Sequence, residues 1–131
     1  MYKMISCLLA GLAGAAIVFA VPPGRENVQG RWSLVELASR PVHPSTSGSV
    51  PWFTIRSHAI EGYDGCNEFS GSLDKPGSIV ATRRGCSDGA LKLPLDLADP
   101  VPQLKAGKII GNKLLLPKLG TMSSFVMRKV P

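Results

Sequence analysis

A chain of 131 residues with 44% hydrophobic content and 18% charged residues is too short for several domains and too apolar to stay disordered. Its 15 basic residues exceed its nine acidic ones, for a formal charge of +6, but most stand apart; the tight groups are Arg83-Arg84 and Arg128-Lys129. A nucleic-acid binder gathers its cations on one face or stripe. This scatter therefore argues against nucleic acid and reads first as a solvated surface; the rival reading is a mild attraction to anionic membrane or wall surfaces.

Residues 1–20 read as a secretory signal peptide. Lys3 supplies the positive start, Ile5 to Phe19 the apolar run, and Val18-Phe19-Ala20 the cleavage pattern. The run is short for a membrane span, which takes roughly 20 apolar residues. The competing reading is an uncleaved N-terminal anchor. Cys7 stands near the start of the run, where a lipidated cysteine would not, and reads as an ordinary residue of it. Cleavage after Ala20 leaves 111 of the 131 residues, lowers the formal charge from +6 to +5 with the loss of Lys3, and leaves two of the three cysteines.

Residues 21–29, with Pro22-Pro23, read as a linker, and 30–131 as one domain. Strand content begins with Gly30 to Leu37, rich in Trp, Val and Leu but imperfect in alternation. Residues 41–51 hold three prolines, a glycine and four Ser/Thr, which is a loop. Trp52 to Arg56 and Ala59 to Tyr63 are expected strands joined tightly at Ser57-His58. Extended chain resumes from Phe69 to Leu73 and again from Ser78 to Thr82, after a turn at Lys75-Pro76-Gly77. Leu91, Leu93, Leu95 and Leu97 alternate like a strand, while Pro94, Pro100 and Pro102 forbid a long helix. A short helical turn capped by Ser87 or Asp88 fits Ser87 to Lys92. Lys108 to Leu116 reads as a hairpin turning at Gly111-Asn112, and Ser123 to Lys129 as the last strand. Short strands between Gly and Pro turns predict an antiparallel barrel or sandwich.

Cys66 stands in the stretch EGYDGCNEFSG, residues 61–71. It is open to three readings: catalytic thiol, metal ligand or half of a disulfide. A thiol enzyme needs a base in reach, and the histidines are His43, in the proline-rich loop, and His58, at a strand connection. A Cys66/His58 pair is the one dyad that can be drawn. Zinc ligation has the right residue types, but the spacing of His43, His58, Cys66 and Cys86 matches no CxxC or HxxxH pairing. Neither a P-loop nor a GxGxxG turn is present. Glu61, Asp64, Glu68 and Asp74 could hold a cation or act as a carboxylate pair; solvated turn and strand positions explain them more simply. Two cysteines in an exported chain predict the disulfide Cys66–Cys86. It would enclose 19 residues, and constraining a loop of that size contributes about 3 kcal/mol. Gly62, Gly65 and Gly71 then read as positions needing positive φ or a close strand approach, and Asn67 as a turn residue.

Four segments in this order carry a family resemblance: Gly30-Arg31-Trp32-Ser33-Leu34, then residues 61–71, then Ala81-Thr82-Arg83-Arg84-Gly85-Cys86, then Ile110 to Leu116. The chain resembles the META domain family, the HslJ-like heat-inducible proteins, over residues 30–129. The matching pattern is G-x-W-x-L, G-x-x-G-C-N-x-F-x-G, T-x-x-x-C and G-x-x-L-x-L. Trp32, Gly65, Asn67, Phe69, Gly71 and Thr82 are its motif positions here. The resemblance implies a small antiparallel β-barrel-like fold with one short helix after Cys86. It also implies a bacterial envelope setting linked to heat or antibiotic stress, and no catalytic residues. The three prolines depart from the family's regular helix and predict a short helix or extended chain in its place.

The expectation is thus an exported, monomeric, non-enzymatic protein of the periplasm or cell envelope, without cofactor or metal. Its expected role is structural or interaction-based. Two rival readings stand beside it. One is a binding module for a hydrophobic ligand or an envelope protein such as lysozyme; the other is a thiol or redox protein using Cys66 or Cys86.

Overall fold

The structure, a computed structural model, describes residues 27–43, 50–86 and 91–131. Among these residues nine strands form a mainly antiparallel β architecture with one short helix. They are β1 (Gly30–Leu37), β2 (Arg40–Pro41), β3 (Trp52–Arg56), β4 (Ala59–Tyr63), β5 (Glu68–Ser72), β6 (Val80–Ala81), β7 (Lys108–Ile110), β8 (Lys113–Leu116) and β9 (Phe125–Val130). The helix α1 is Val101–Ala106. The signal-peptide reading of residues 1–20 and the helical turn expected from Ser87 fall largely outside the described residues. Leu91 and Lys92, the described end of that turn, are irregular.

The strands form one sheet in the order β6-β5-β4-β3-β1-β9-β8-β7, with β2 paired to β1. Two meanders, β3 to β6 and β7 to β9, are joined through β1. Its pairings are Trp32 with Phe53 on one side and Leu34 with Met127 on the other. One extra residue in β1 between Leu34 and Glu36 shifts the register against β9. Such a bulge bends the strand locally.

Pairing register dictates which side chains meet. Phe69, Gly62, Phe53 and Trp32 lie opposite one another across β5, β4, β3 and β1. All four are buried. Gly62 is the gap in this aromatic row. A Cβ there would overlap the Trp52 carbonyl and come within 2.7 Å of the Phe69 ring. A second inner row, Leu34, Met127 and Leu114, crosses to the other meander. Trp32 keeps its indole polar by donating from Nε1 to the Val28 carbonyl at 3.0 Å, which satisfies a donor that would otherwise be orphaned in the core.

The expected barrel is an open sheet. β6 and β7 are the two edges and do not pair. They have two and three residues, too little ladder to join. Chain that leaves the sheet fills the remaining side of the core: Leu93, Leu95 and Leu104 belong to the same buried cluster as the sheet's inner face. The alternation of leucines over 91–97 therefore reports burial without strand pairing. The helix lies later than expected, because Pro100 and Pro102 sit at its start, with Pro100 as N-cap, where a missing N–H costs nothing. Gln103 is 2% exposed. Its Oε1 accepts from the Asp96 N–H at 2.6 Å and its Nε2 donates to the Pro94 carbonyl at 2.7 Å. One helical side chain thus holds the extended segment against α1.

Folded structure also begins before Gly30. Val28 is buried. Gln29 accepts from the Ser57 N–H at 2.6 Å and donates back to its carbonyl at 3.1 Å. This clamp holds Ser57 at φ +55°, the left-handed region that non-glycine residues rarely adopt. The linker reading thus fails for Val28 and Gln29, and 21–26 lie outside the described residues.

Substituting Gly62→Ala forces either the Phe69 ring or the Trp52 backbone to move. Overpacking of this kind costs about 1–3 kcal/mol, so urea unfolding followed by tryptophan fluorescence should give a lower midpoint with an unchanged slope. A midpoint equal to the parent's would contradict the row described here.

Candidate functional site

The stretch that contains Cys66 is the turn between β4 and β5. Asp64 is 6% exposed, and its Oδ1 accepts from the N–H groups of Cys66 at 2.9 Å and Asn67 at 2.6 Å. This side-chain-to-backbone pattern mimics a turn hydrogen bond. Between them Gly65 adopts φ +106°, which glycine reaches at no steric cost. A Cβ at Gly65 would also overlap the Leu91 carbonyl. The Leu93 N–H in turn donates to the Asp64 carbonyl at 2.7 Å. The turn is thereby docked onto the segment that fills the core.

Asn67 reaches the other way. Its Oδ1 accepts from the Arg84 N–H at 2.6 Å and from the Thr82 hydroxyl at 3.1 Å. Thr82 Oγ1 accepts from the Glu68 N–H at 3.1 Å, and the Thr82 N–H donates to the Glu68 carbonyl at 2.9 Å. Residues 82–84 are thereby held beside the turn after the β5–β6 ladder has ended. Cys66 and Cys86 follow as a disulfide, with 5.5 Å between their Cα atoms, within the usual range for such a bond.

Of the residues singled out in the sequence, Gly65, Cys66, Asn67, Thr82 and Cys86 form this one hub. Phe69 belongs to the buried aromatic row. Gly71 lies farther along β5, where a Cβ would come within 2.6 Å of Ile79; it admits the crossing chain. Trp32 sits in the core of β1, outside the hub. Asp64, read in the sequence as a turn residue and one of four acids, organises the hub, and Gln103 is the organising residue that sequence reading did not single out. The pattern Asp-Gly-x-Asn was a visible signal for the first; nothing local marks the second.

The dyad of Cys66 with His58 is not assembled. His58 lies in the turn before β4 and Cys66 in the turn after it, so five strand residues separate them, about 17 Å of extended chain. His58 Nδ1 is instead 2.9 Å from Asp74 Oδ2. Among the described residues no group of three His, Cys, Asp or Glu side chains could hold a metal. Every buried side-chain nitrogen or oxygen among them has a hydrogen-bond partner.

Of the clefts among the described residues, one lies away from the hub and another borders it at Thr82. The first, of about 400 Å³, is lined by Leu115, Val126, Pro117 and Phe125, with Glu36 and Lys108 among its other residues. The second, of about 490 Å³, lies over β3 to β6 and includes Trp52, Glu61, Glu68 and Val80. The Arg31 guanidinium covers the Trp52 ring at 4.0 Å from its centroid, a favourable cation–π placement.

Compared with family models, curated proteins and solved structures, the chain has no match.

Replacing both cysteines, Cys66→Ser with Cys86→Ser, should lower stability by about 3 kcal/mol through the unfolded chain's regained freedom. Asn67→Ala leaves the Arg84 N–H and Thr82 hydroxyl without their acceptor, at about 1–2 kcal/mol. Denaturant melts of the oxidised proteins check both. Losses that simply add across the triple variant would show that hub and bond act independently, against the coupled arrangement described.

Proposed function

We propose that the protein is an exported META-like domain of the bacterial periplasm or cell envelope. It works as a monomer by interaction rather than catalysis, in tolerance of envelope stress. The observation that carries this reading is how the hub's polar groups are engaged. Asp64 holds two backbone N–H groups, Asn67 holds Thr82 and Arg84, and the two cysteines hold each other. A nucleophile needs a free thiol beside a base, whereas here the most distinctive motif of the chain supports backbone. The disulfide supports export, because such bonds persist in oxidising compartments. The order of the four motifs supports the META assignment.

The 400 Å³ cleft favours one second reading, a binding module for a hydrophobic ligand. Its floor of Leu115 and Val126 beside Pro117 and Phe125 has the largely apolar lining of small-molecule sites.

Export and disulfide are tested together by the intact mass of protein secreted by its native host, alkylated with and without prior reduction. The reading expects a chain beginning at Val21 and no alkylation until reductant is added. A chain beginning at Met1 with alkylated thiols would overturn it and bring the thiol reading forward.

A further inference from the structure

The last acidic residue of the chain is Asp99. After it come six Lys or Arg residues and no Asp or Glu. In sequence these cations look scattered; the sheet gathers half of them. Lys113 pairs directly with Arg128, and Ile110 pairs with Lys113 from the other side. Directly opposed residues in an antiparallel ladder share a face, and Lys108 joins them because it is two residues from Ile110.

The same parity places Leu115, Val126 and Val130 on that face. Ile110 is 52% exposed and Val130 38%. Leu115 and Val126 are half-buried and line the 400 Å³ cleft together with Lys108. Across β7, β8 and β9 this outer face thus carries three cations interleaved with four aliphatics; the one Asp or Glu beside it among the described residues is Glu36 of β1, opposite Val126 at the cleft, while Lys113 and Arg128 lie farther along the strands. Like charges directly opposed across a ladder are unfavourable. Among the described residues neither Lys113 nor Arg128 has a carboxylate to offset the other. An external anion would relieve that repulsion.

We propose that the outer face of β7, β8 and β9 docks on an anionic lipid surface. Lys108, Lys113 and Arg128 meet the headgroups, and Ile110 and Val130 enter the interface. The aliphatics decide between lipid and a soluble polyanion. Basic side chains alone would suit either, but binding at a bilayer grows with buried apolar area as well as with charge, and exposed isoleucine beside lysine serves only the former. This inference rests on the envelope reading for where such a lipid is met.

The test is co-sedimentation of the secreted, oxidised protein with vesicles of phosphatidylcholine alone or mixed equally with phosphatidylglycerol. Binding to the mixed vesicles only is expected, and it should weaken with added salt. Lys113→Ser with Arg128→Ser should weaken it roughly 30-fold, from the usual contribution per basic residue at an anionic leaflet, with the thermal melt retained. Ile110→Ser should weaken lipid binding while leaving attraction to dextran sulfate unchanged. Equal binding to both vesicles would overturn the proposal, and so would indifference to the double variant. An Ile110→Ser protein that binds lipid like the parent would leave only a general polyanion attraction and overturn it as well. These readings do not use the mass or alkylation results, so a failure of lipid docking is distinguishable from a failure of the export reading.

Discussion

The two meanders touch in the ladder through a single strand. β1 pairs with β3 through its first half and with β9 along nearly its whole length. Remove that double pairing and the sheet separates into two pieces, each with half a core. Trp32 is the centre of the junction: it closes the aromatic row of one meander while its neighbour Leu34 opens the aliphatic row of the other. The bond between Trp32 and the Val28 carbonyl fixes the ring and recruits the chain before the strand. Because β1 and β9 come from opposite ends of the domain, this junction is a long-range contact. Folding dominated by such pairings is comparatively slow.

The hub does for the loops what β1 does for the sheet. Between the end of β6 and the start of α1 the described residues have no ladder to follow, yet they supply Leu93 and Leu95 to the core. Their backbone is anchored at the Asp64 carbonyl, at the Gln103 side chain and through the Ala98 carbonyl, which accepts from the Gly77 N–H at 2.9 Å. The disulfide fixes the near end. An open sheet can therefore keep a buried apolar core without closing on itself, since an irregular segment whose polar groups are bonded stands where further strands would be.

Much of this was legible in the residues. The boundaries of β1, β3 and β4 follow from hydrophobic and β-branched content, and the β7–β8 turn from Gly111-Asn112. Glycine positions pointed correctly to close approach, as Gly65 and Gly71 show. The disulfide followed from cysteine count. What was not legible depended on tertiary context. Ser78 to Thr82 reads as a five-residue strand, but only Val80 and Ala81 pair. The Ser78 hydroxyl bonds instead to the Ser72 backbone, and Thr82 is drawn toward Asn67. Prolines 100 and 102 read as breakers because their role as starters depends on where the helix begins. A six-residue helix is too short to display its period. A barrel or sandwich was expected from strand spacing and turns, and the barrel-like form from the family resemblance; neither speaks to edge length. The cations of the C-terminal third look dispersed because a ladder places residues 15 apart, such as Lys113 and Arg128, side by side.

That β1 and β9 run antiparallel has a mechanical meaning. Arg31 lies opposite Val130, so the entrance to the folded domain and its exit are neighbours. Tension between those two points acts across the hydrogen bonds at one end of the ladder. It loads them one rung at a time, as a zipper is opened, instead of shearing all of them together. The Gln29 clamp on Ser57 lies just ahead of Arg31 and takes the first load on that side. The disulfide and the core oppose global unfolding, yet the domain should yield readily to a pull at its ends. A tether at either terminus leaves from the same corner and keeps the rest of the sheet unobstructed.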